Sequence, residues 1–524
     1  MEARTTRLHS PVWLALIIGL GLSIRLTGLW VGQGYCRGHP GDGVEAYSWA
    51  VDFARGEPKA QYLGQPNYNL HAKLPGPLWS LFCFTGLRCW GSIEGVILGI
   101  ILVNTAAIYV CYRLAERTLG PSGSLWTALL AATLPFPIFY SISVYNPNVM
   151  PFLGGLLFLA LWDVIQRDRA RSIFWVMLLL LTMPQFHMCV TMLLPAVCLI
   201  LLLASVRIHL PCLIGGLFAG ALLYIPYIRG EMAHGWQNTL GMMSAPGHNA
   251  WGGLKALAAP LSLLTNWVPQ WTGSVAAYRE LGRACFGSFA VFLVLNLLSA
   301  IVAALLLIRI FQRTRMALRG CLQTPRQVFK RSQELLFLVI LTVVPLLCAA
   351  ASGKNFRSHY AIVLFGPLLS LAGWAASTFI SGSGSGRWFR VALVILTCGN
   401  IWFMPAMFRY QSGRIDRGEV FVFSFRKSES IYQQLKAYAG SQRPVIVDDQ
   451  ALAKELYGRD DALSDAKLIG RYVATREVES AMLGGEKGPP MIFTLRRADQ
   501  ADAGAPEVAY RAHGIALVAA PPAP

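Results

Sequence analysis

The sequence predicts an all-α polytopic membrane protein of about 11 spanning helices, followed by a small C-terminal α/β domain. Three observations predict it. First, 55% of the 524 residues are hydrophobic and only 14% charged, with a mean hydropathy of +0.48; an ordinary soluble chain is roughly a quarter charged. Second, the apolar residues lie in blocks, and the short connections between them are alternately rich and poor in Lys and Arg. Third, the tail 409–524 holds 16 basic and 15 acidic residues and no spanning run. A soluble globular enzyme and a disordered chain are both excluded.

A span takes about 20 apolar residues, fewer where neighbours shield it. The blocks near 11–31, 92–112, 122–141, 149–166, 172–185, 188–206, 211–228, 284–308, 335–351, 360–380 and 388–408 meet that need. The first follows Arg4 and Arg7 as a signal peptide would. It runs on past Arg25 to Trp30 with no small-x-small cleavage site, so it reads as an uncleaved anchor. The stretch 172–185 is short and ends at Pro184, which suits a half-buried or broken span.

Charge orients the chain. With the N-terminus cytoplasmic, the inner segments hold 17 basic residues against five acids, +12 of the formal net +18. The largest group is Arg309, Arg313, Arg315, Arg319, Arg326, Lys330 and Arg331. Every short loop then obeys the positive-inside rule, and the surplus is an orientation signal with scope for anionic-lipid contact rather than for nucleic acid. The 11 cysteines are scattered, mostly within apolar blocks, with no CxxC pair and none after Cys398, a pattern of core packing rather than metal ligation. Cys36, Cys83 and Cys89, in or beside one loop, leave room for one disulfide.

Three regions face outward: the loop 32–91, the Trp-rich loop 230–283, and the tail 409–524. In the tail, PVIVDD (444–449) and MIFTL (491–495) read as short strands, with helical stretches near 428–440 and 450–457. SGSGSG at 381–386 reads as a flexible turn, because a phosphate-cradling loop needs a strand before it and a helix after it.

Chemistry concentrates at the outer ends. GYCRGHPGDGVEAYSWAVDFARGE (34–57) carries Asp42 at the exit of the first span, then Glu45, Tyr47 and Asp52 on an apparent amphipathic interfacial helix over 44–54. QPNYNLHAKLPGPLWSLF (65–82) brings His71 and Lys73 back toward the membrane. SVYNPNVMP sets Asn146 and Asn148 in a turn, MPQFHM sets Gln185 and His187 in another, and KNFRSHY sets Lys354, Arg357, His359 and Tyr360 in a third. Polar groups at membrane depth are costly and point to function. A solvated surface helix and hydrogen-bonded packing histidines are the plainer readings of each cluster alone; four clusters on one face favour a site.

The order of these motifs resembles the GT-C glycosyltransferases that use polyprenyl-phosphate sugars. The shared features are an acidic motif after the first span, interfacial helices, a K-x-P-x-P-L-W-like return at 73–79, an N-P turn after the third span and a late R-x-H-Y. The nearest groups are the bacterial dolichyl-phosphate-mannose-mannosyltransferase-like proteins, relatives of the lipid A aminoarabinose transferases and of the protein O-mannosyltransferases. The likeness covers about 1–410, a transmembrane domain at 1–408 with an extracytoplasmic domain at 409–524. It implies a multi-pass protein of a bacterial inner membrane that moves a hexosyl or pentosyl group from the lipid carrier to a lipid, glycan or protein acceptor at the outer face. The family's first-loop acid would be Asp42, with Glu45 in reserve; its phosphate-binding Lys would be Lys73; its late basic residue would be Arg357. His71, Asn146, Asn148, His187, His359 and Tyr360 would bind substrate.

Two features depart from the family. Its adjacent Asp-Glu is split here by Gly43-Val44, and the residue before the turn proline is Asn146, not Asp. Asn brings no anionic charge to a divalent cation, so the pattern commits to no cofactor. The residue types suit the chemistry: Lys73 and Arg357 would stabilise a departing phosphate, and a carboxylate would take the acceptor's proton. One base attacking in line implies inversion. Trp236, Trp251, Trp267 and Trp271 would stack on sugar or form an aromatic belt. A transporter or lipid flippase is the main alternative, and it predicts inverted repeats and midplane polar groups; no repeat is visible, and Arg25 is the clearest intramembrane charge. An oligosaccharide-ligase-like enzyme would lack the long first loop, and a scaffold organised around the tail is a further alternative.

Overall fold

The structure, a computed structural model, describes residues 2–31, 40–67, 72–166, 170–244, 253–265, 275–319, 324–352, 356, 358–382, 385–416, 425–439, 443–447, 472–476, 490–497, 508–512 and 515–519. Within them, seven helices are long and apolar enough to cross a membrane: Pro11–Val31, Ile93–Leu119, Asn146–Ile165, Phe289–Leu318, Gln333–Ala351, His359–Ile380 and Gly386–Gly413. An eighth span forms if Leu210–Leu222 and Ile225–Ala233, bent by 50°, count as one. The other expected spans are helices cut short by proline. Block 122–141 divides into Pro121–Thr133 and Pro135–Tyr140, while 172–185 and 188–206 become Ile173–Thr182 and Leu194–Ala204, joined by two 3-10 turns. A helical proline has no N–H to give and crowds the preceding turn.

The break at Pro135 explains the charge inside the first span. The carbonyl of Ala131 would accept from the amide of residue 135, which proline lacks. Arg25, 1% exposed, supplies the donors: Nη2 to the Ala131 carbonyl at 3.1 Å and Nη1 to Ala132 at 3.4 Å and Gly21 at 2.9 Å. Its Nε donates to Ser141 Oγ at 3.0 Å, which ties down the far side of the break. Leaving two buried carbonyls unpaired costs about 1–3 kcal/mol each. Arg25→Met should therefore lose about 2–4 kcal/mol in denaturant unfolding, and adding Pro135→Ala should recover part of it. Wild-type stability in Arg25→Met would refute this role.

Elsewhere the spans approach closely through small residues. Helix Pro121–Thr133 crosses Phe365–Ile380 where Gly123 faces the Gly373–Trp374 backbone; a methyl on Gly373 would meet the Thr127 amide nitrogen at 2.6 Å. Thr127 Oγ1 donates across the crossing to the Leu369 carbonyl at 3.2 Å, as packing in lipid favours. At one end of the bundle Arg117 makes a paired contact with Asp163, at 3.0 and 3.1 Å.

The loop after the first span is helical where expected. Helix α2 (Pro40–Ala54) begins with proline, whose fixed φ suits a first turn. Val44, Ala46, Tyr47, Ala50 and Val51 are almost wholly buried, more than an interfacial helix requires. Leu78–Trp90 packs on it, and Tyr472 of the tail lies against Tyr47 with ring centroids 5.4 Å apart.

In the tail, strands Arg443–Val447, Pro490–Arg497, Ile515–Ala519 and Val508–Ala512 form one sheet in that spatial order; the first pair is parallel and the others antiparallel. Helix Phe425–Ala439 packs on it and buries Ile431, Leu435 and Ala439, one per turn. Both expected strands are present; the helical stretch near 450–457 lies outside the described residues. The last long helix continues to Asp416, past the expected domain boundary at 408.

Candidate functional site

The return of the first loop is a two-residue antiparallel hairpin, β1 (Pro66–Asn67) with β2 (Ala72–Lys73), pairing Pro66 with Lys73 and Asn67 with Ala72. Trp79, fully buried, donates from Nε1 to Gln65 Oε1 at 2.9 Å and pins the hairpin to the helix that follows. The Lys73 ammonium lies 4.5 Å from the centre of the Trp49 ring on α2. Burial draws that ammonium below the ordinary lysine range; Lys59 adds to the shift and Glu45 opposes it. Glu45, 5% exposed on α2, thus lies within electrostatic range of that ammonium.

The bent span closes this place from the other side. Gln185 Nε2 donates to the Leu223 carbonyl at the bend (3.2 Å), and its side-chain oxygen lies against Gly76, whose φ of 135° only glycine readily adopts. Beyond the bend, α12 (Ile225–Ala233) and α13 (Gln237–Met243) turn through Gly235 and Trp236, both at positive φ. Glu231, 1% exposed, accepts from the Thr239 amide at 2.7 Å and from Tyr227 Oη at 3.4 Å. Asn238 bonds to the Lys73 backbone, and Tyr62 stacks on His234 with an Oη to Nδ1 distance of 3.2 Å.

A second polar group sits among the spans. Tyr145 Oη and His359 Nε2 are 2.6 Å apart, and the His187 ring lies 6.3 Å from His359 and 5.4 Å from Tyr360. The NPN turn beside them is held by Asn104, which donates to the Asn148 carbonyl at 2.7 Å; Asn148 Nδ2 donates to Ser143. Asn146, Asn148, His187 and His359 are all at least nine-tenths buried.

His187 Nδ1 accepts from the Cys189 amide at 3.1 Å, which marks a neutral ring.

The structure thus places Glu45 on the helix whose Trp49 holds the Lys73 ammonium, and brings His187 to His359 and Tyr360 beside the Asn146–Asn148 turn. Asp42 lies in the first turn of α2, three positions before Glu45, with its side chain outside the description; His71 and Arg357 lie outside the described residues, as do Trp251, Trp267 and Trp271. Among the described residues, no group of three His, Cys, Asp or Glu side chains could hold a metal ion. Glu231 and Asn238 carried no sequence signal beyond lying in the second outer loop, and Tyr227 fell at the end of the expected span 211–228.

No protein-family model matches the chain, and no curated protein resembles it in sequence. Its fold does have solved counterparts. The chain is similar to ArnT from Cupriavidus metallidurans bound to undecaprenyl phosphate, with a TM-score of 0.57 at 12% identity over 97% of this chain and 98% of that one. The apo form of the same protein gives 0.56 at 11% over the same shares. The Archaeoglobus fulgidus oligosaccharyltransferase complex with Zn and sulfate scores 0.46 at 12%, over 81% of this chain and 55% of that one. The chain therefore has the polytopic helical fold expected of it, similar to that of ArnT, and is an integral multi-pass membrane protein.

Proposed function

We propose that the chain transfers a sugar from a polyprenyl-phosphate carrier to a lipid, glycan or protein acceptor at the outer face of a bacterial inner membrane. The observation that carries this reading is the half-buried Lys73 ammonium held over the Trp49 ring of α2, the helix that also carries buried Glu45. The full-length likeness to a protein solved with undecaprenyl phosphate supports it.

The acceptor's hydroxyl attacks the sugar carbon that bears the phosphate. Its proton passes to Asp42 or Glu45, a new C–O bond forms, and the C–O bond to phosphate breaks. Lys73 and Arg357 receive the negative charge that leaves with the carrier. A single base with in-line attack inverts the anomeric carbon, and the sugar is a hexose or pentose. The group of buried His187 and His359 with half-buried Tyr360, together with Asn146 and Asn148, forms the floor below the sugar.

The test is purified protein in nanodiscs supplied with polyprenyl-phosphate sugars. Inverted product and released carrier phosphate support transfer. Movement of the intact carrier across a vesicle bilayer without new glycoside would favour a lipid flippase instead. Comparing envelope glycans by mass spectrometry with and without the chain then identifies the acceptor.

The domain from 409 onward would lie on the same outer face and modulate acceptor use; the Tyr47–Tyr472 contact on the acid-bearing helix supports this. A reporter active only in the cytoplasm, fused after Pro524, should stay silent. A strong signal would invert the assigned orientation or remove a span near 172–206.

A further inference from the structure

We infer that Asn238 is a positioning residue for Lys73, clasping its backbone so that the ammonium is presented to the carrier phosphate. This rests on the donor reading above. Lys73 N donates to Asn238 Oδ1 at 2.6 Å, and Asn238 Nδ2 donates to the Lys73 carbonyl at 3.1 Å. One side-chain amide thus satisfies both backbone groups of a single residue, and the two bonds together fix which way that amide faces.

The clasp is needed because the hairpin is minimal. With two residues per strand it has little stability of its own. Lys73 is also the residue where β2 ends, so its backbone direction sets the reach of its side chain. The Trp49 ring limits the ammonium from α2; Asn238 limits the backbone from the opposite element. Two fixed ends leave a four-carbon stem little freedom, and that preorganisation is what an anion site needs.

Asn238 is itself held. Its Nδ2 also donates to Tyr227 Oη at 3.3 Å, and that hydroxyl meets Thr239 Oγ1 at 2.8 Å. Buried Glu231 accepts from the Thr239 amide, fixing the first turn of α13, where Asn238 sits, to the preceding helix. The left-handed pair Gly235–Trp236 makes the corner that lets α13 fold back to the hairpin. The bent span thereby communicates with the phosphate-binding lysine through one side chain.

The measurement is undecaprenyl phosphate binding to the full chain in nanodiscs for wild type, Lys73→Ala, Asn238→Ala and the double variant, with amide exchange of segment 66–78 followed alongside. Asn238→Ala should weaken binding by about tenfold and speed exchange at Lys73, at near-wild-type melting temperature. The double variant should bind no worse than Lys73→Ala alone, because Asn238 acts through Lys73. Wild-type affinity in Asn238→Ala while Lys73→Ala is defective overturns this role and leaves the donor reading standing. A further tenfold loss in the double variant also overturns it, since that marks a direct or general structural effect. Lys73→Ala binding as tightly as wild type overturns both the role and the donor assignment.

Discussion

Removing the right carboxylate of α2 should lower sugar transfer by about 10²–10⁴-fold, the usual contribution of a positioned general base. Asp42→Asn and Glu45→Gln keep shape and hydrogen-bonding capacity while removing basicity, so turnover per folded molecule in nanodiscs isolates the proton-transfer step. Asp42 occupies the first turn of α2, where the helix dipole favours a carboxylate. Glu45 is one turn further on, buried, and within the field of Lys73. Positions three apart share a helix face, so the two acids suit divided duties: Asp42 as base, Glu45 holding Lys73. On that division Asp42→Asn loses turnover with donor affinity intact, whereas Glu45→Gln chiefly weakens donor binding. The reverse result makes Glu45 the base. Full turnover in both variants would leave the α2 acids no part in the chemistry.

What was legible in the sequence was legible because it was local. Apolar blocks mark spans since nothing else is stable across a bilayer core, and the seven long helices lie on seven of the predicted blocks. The break at Pro184 was expected, but the break at Pro135 and the 222–225 bend were harder to foresee. A proline shows where a donor is missing, but its replacement comes from far away in sequence: Arg25 serves Ala131 across 106 positions. Arg25 stood out as an intramembrane charge with no partner in view, and only the packed bundle supplies one.

The same limit applies to the site. Glu45 and Lys73 lie in one loop, and His187 and His359 lie on turns at the same predicted side, so sidedness alone grouped them. The clasp of Asn238 on a backbone amide and carbonyl leaves no residue pattern, because every residue offers those groups. Burial of α2 was equally hidden: its outward face reads as solvated until Tyr472, more than 400 residues later, covers Tyr47.

Loss of the cationic groups should be the other large effect. Lys73→Ala and Arg357→Ala should each raise the donor concentration for half-maximal rate by about 10–100-fold, as expected for hydrogen bonds to a charged partner. A lysine that merely snorkels points its ammonium at water. The Lys73 ammonium instead stays over Trp49, drawn below its ordinary pKa by burial. A cation held out of bulk water gains most when an anion arrives, because the interaction is less screened there. Arg357 is placed by sequence alone, in the segment leading into the 3-10 helix Ser358–Leu364 that carries His359. If it grips the phosphate through two parallel bonds, Arg357→Lys should restore only part of the loss, since an ammonium cannot reproduce the planar fork. Donor-concentration curves for the three variants decide the matter. Unchanged curves in all of them would mean that the carrier phosphate is bound elsewhere.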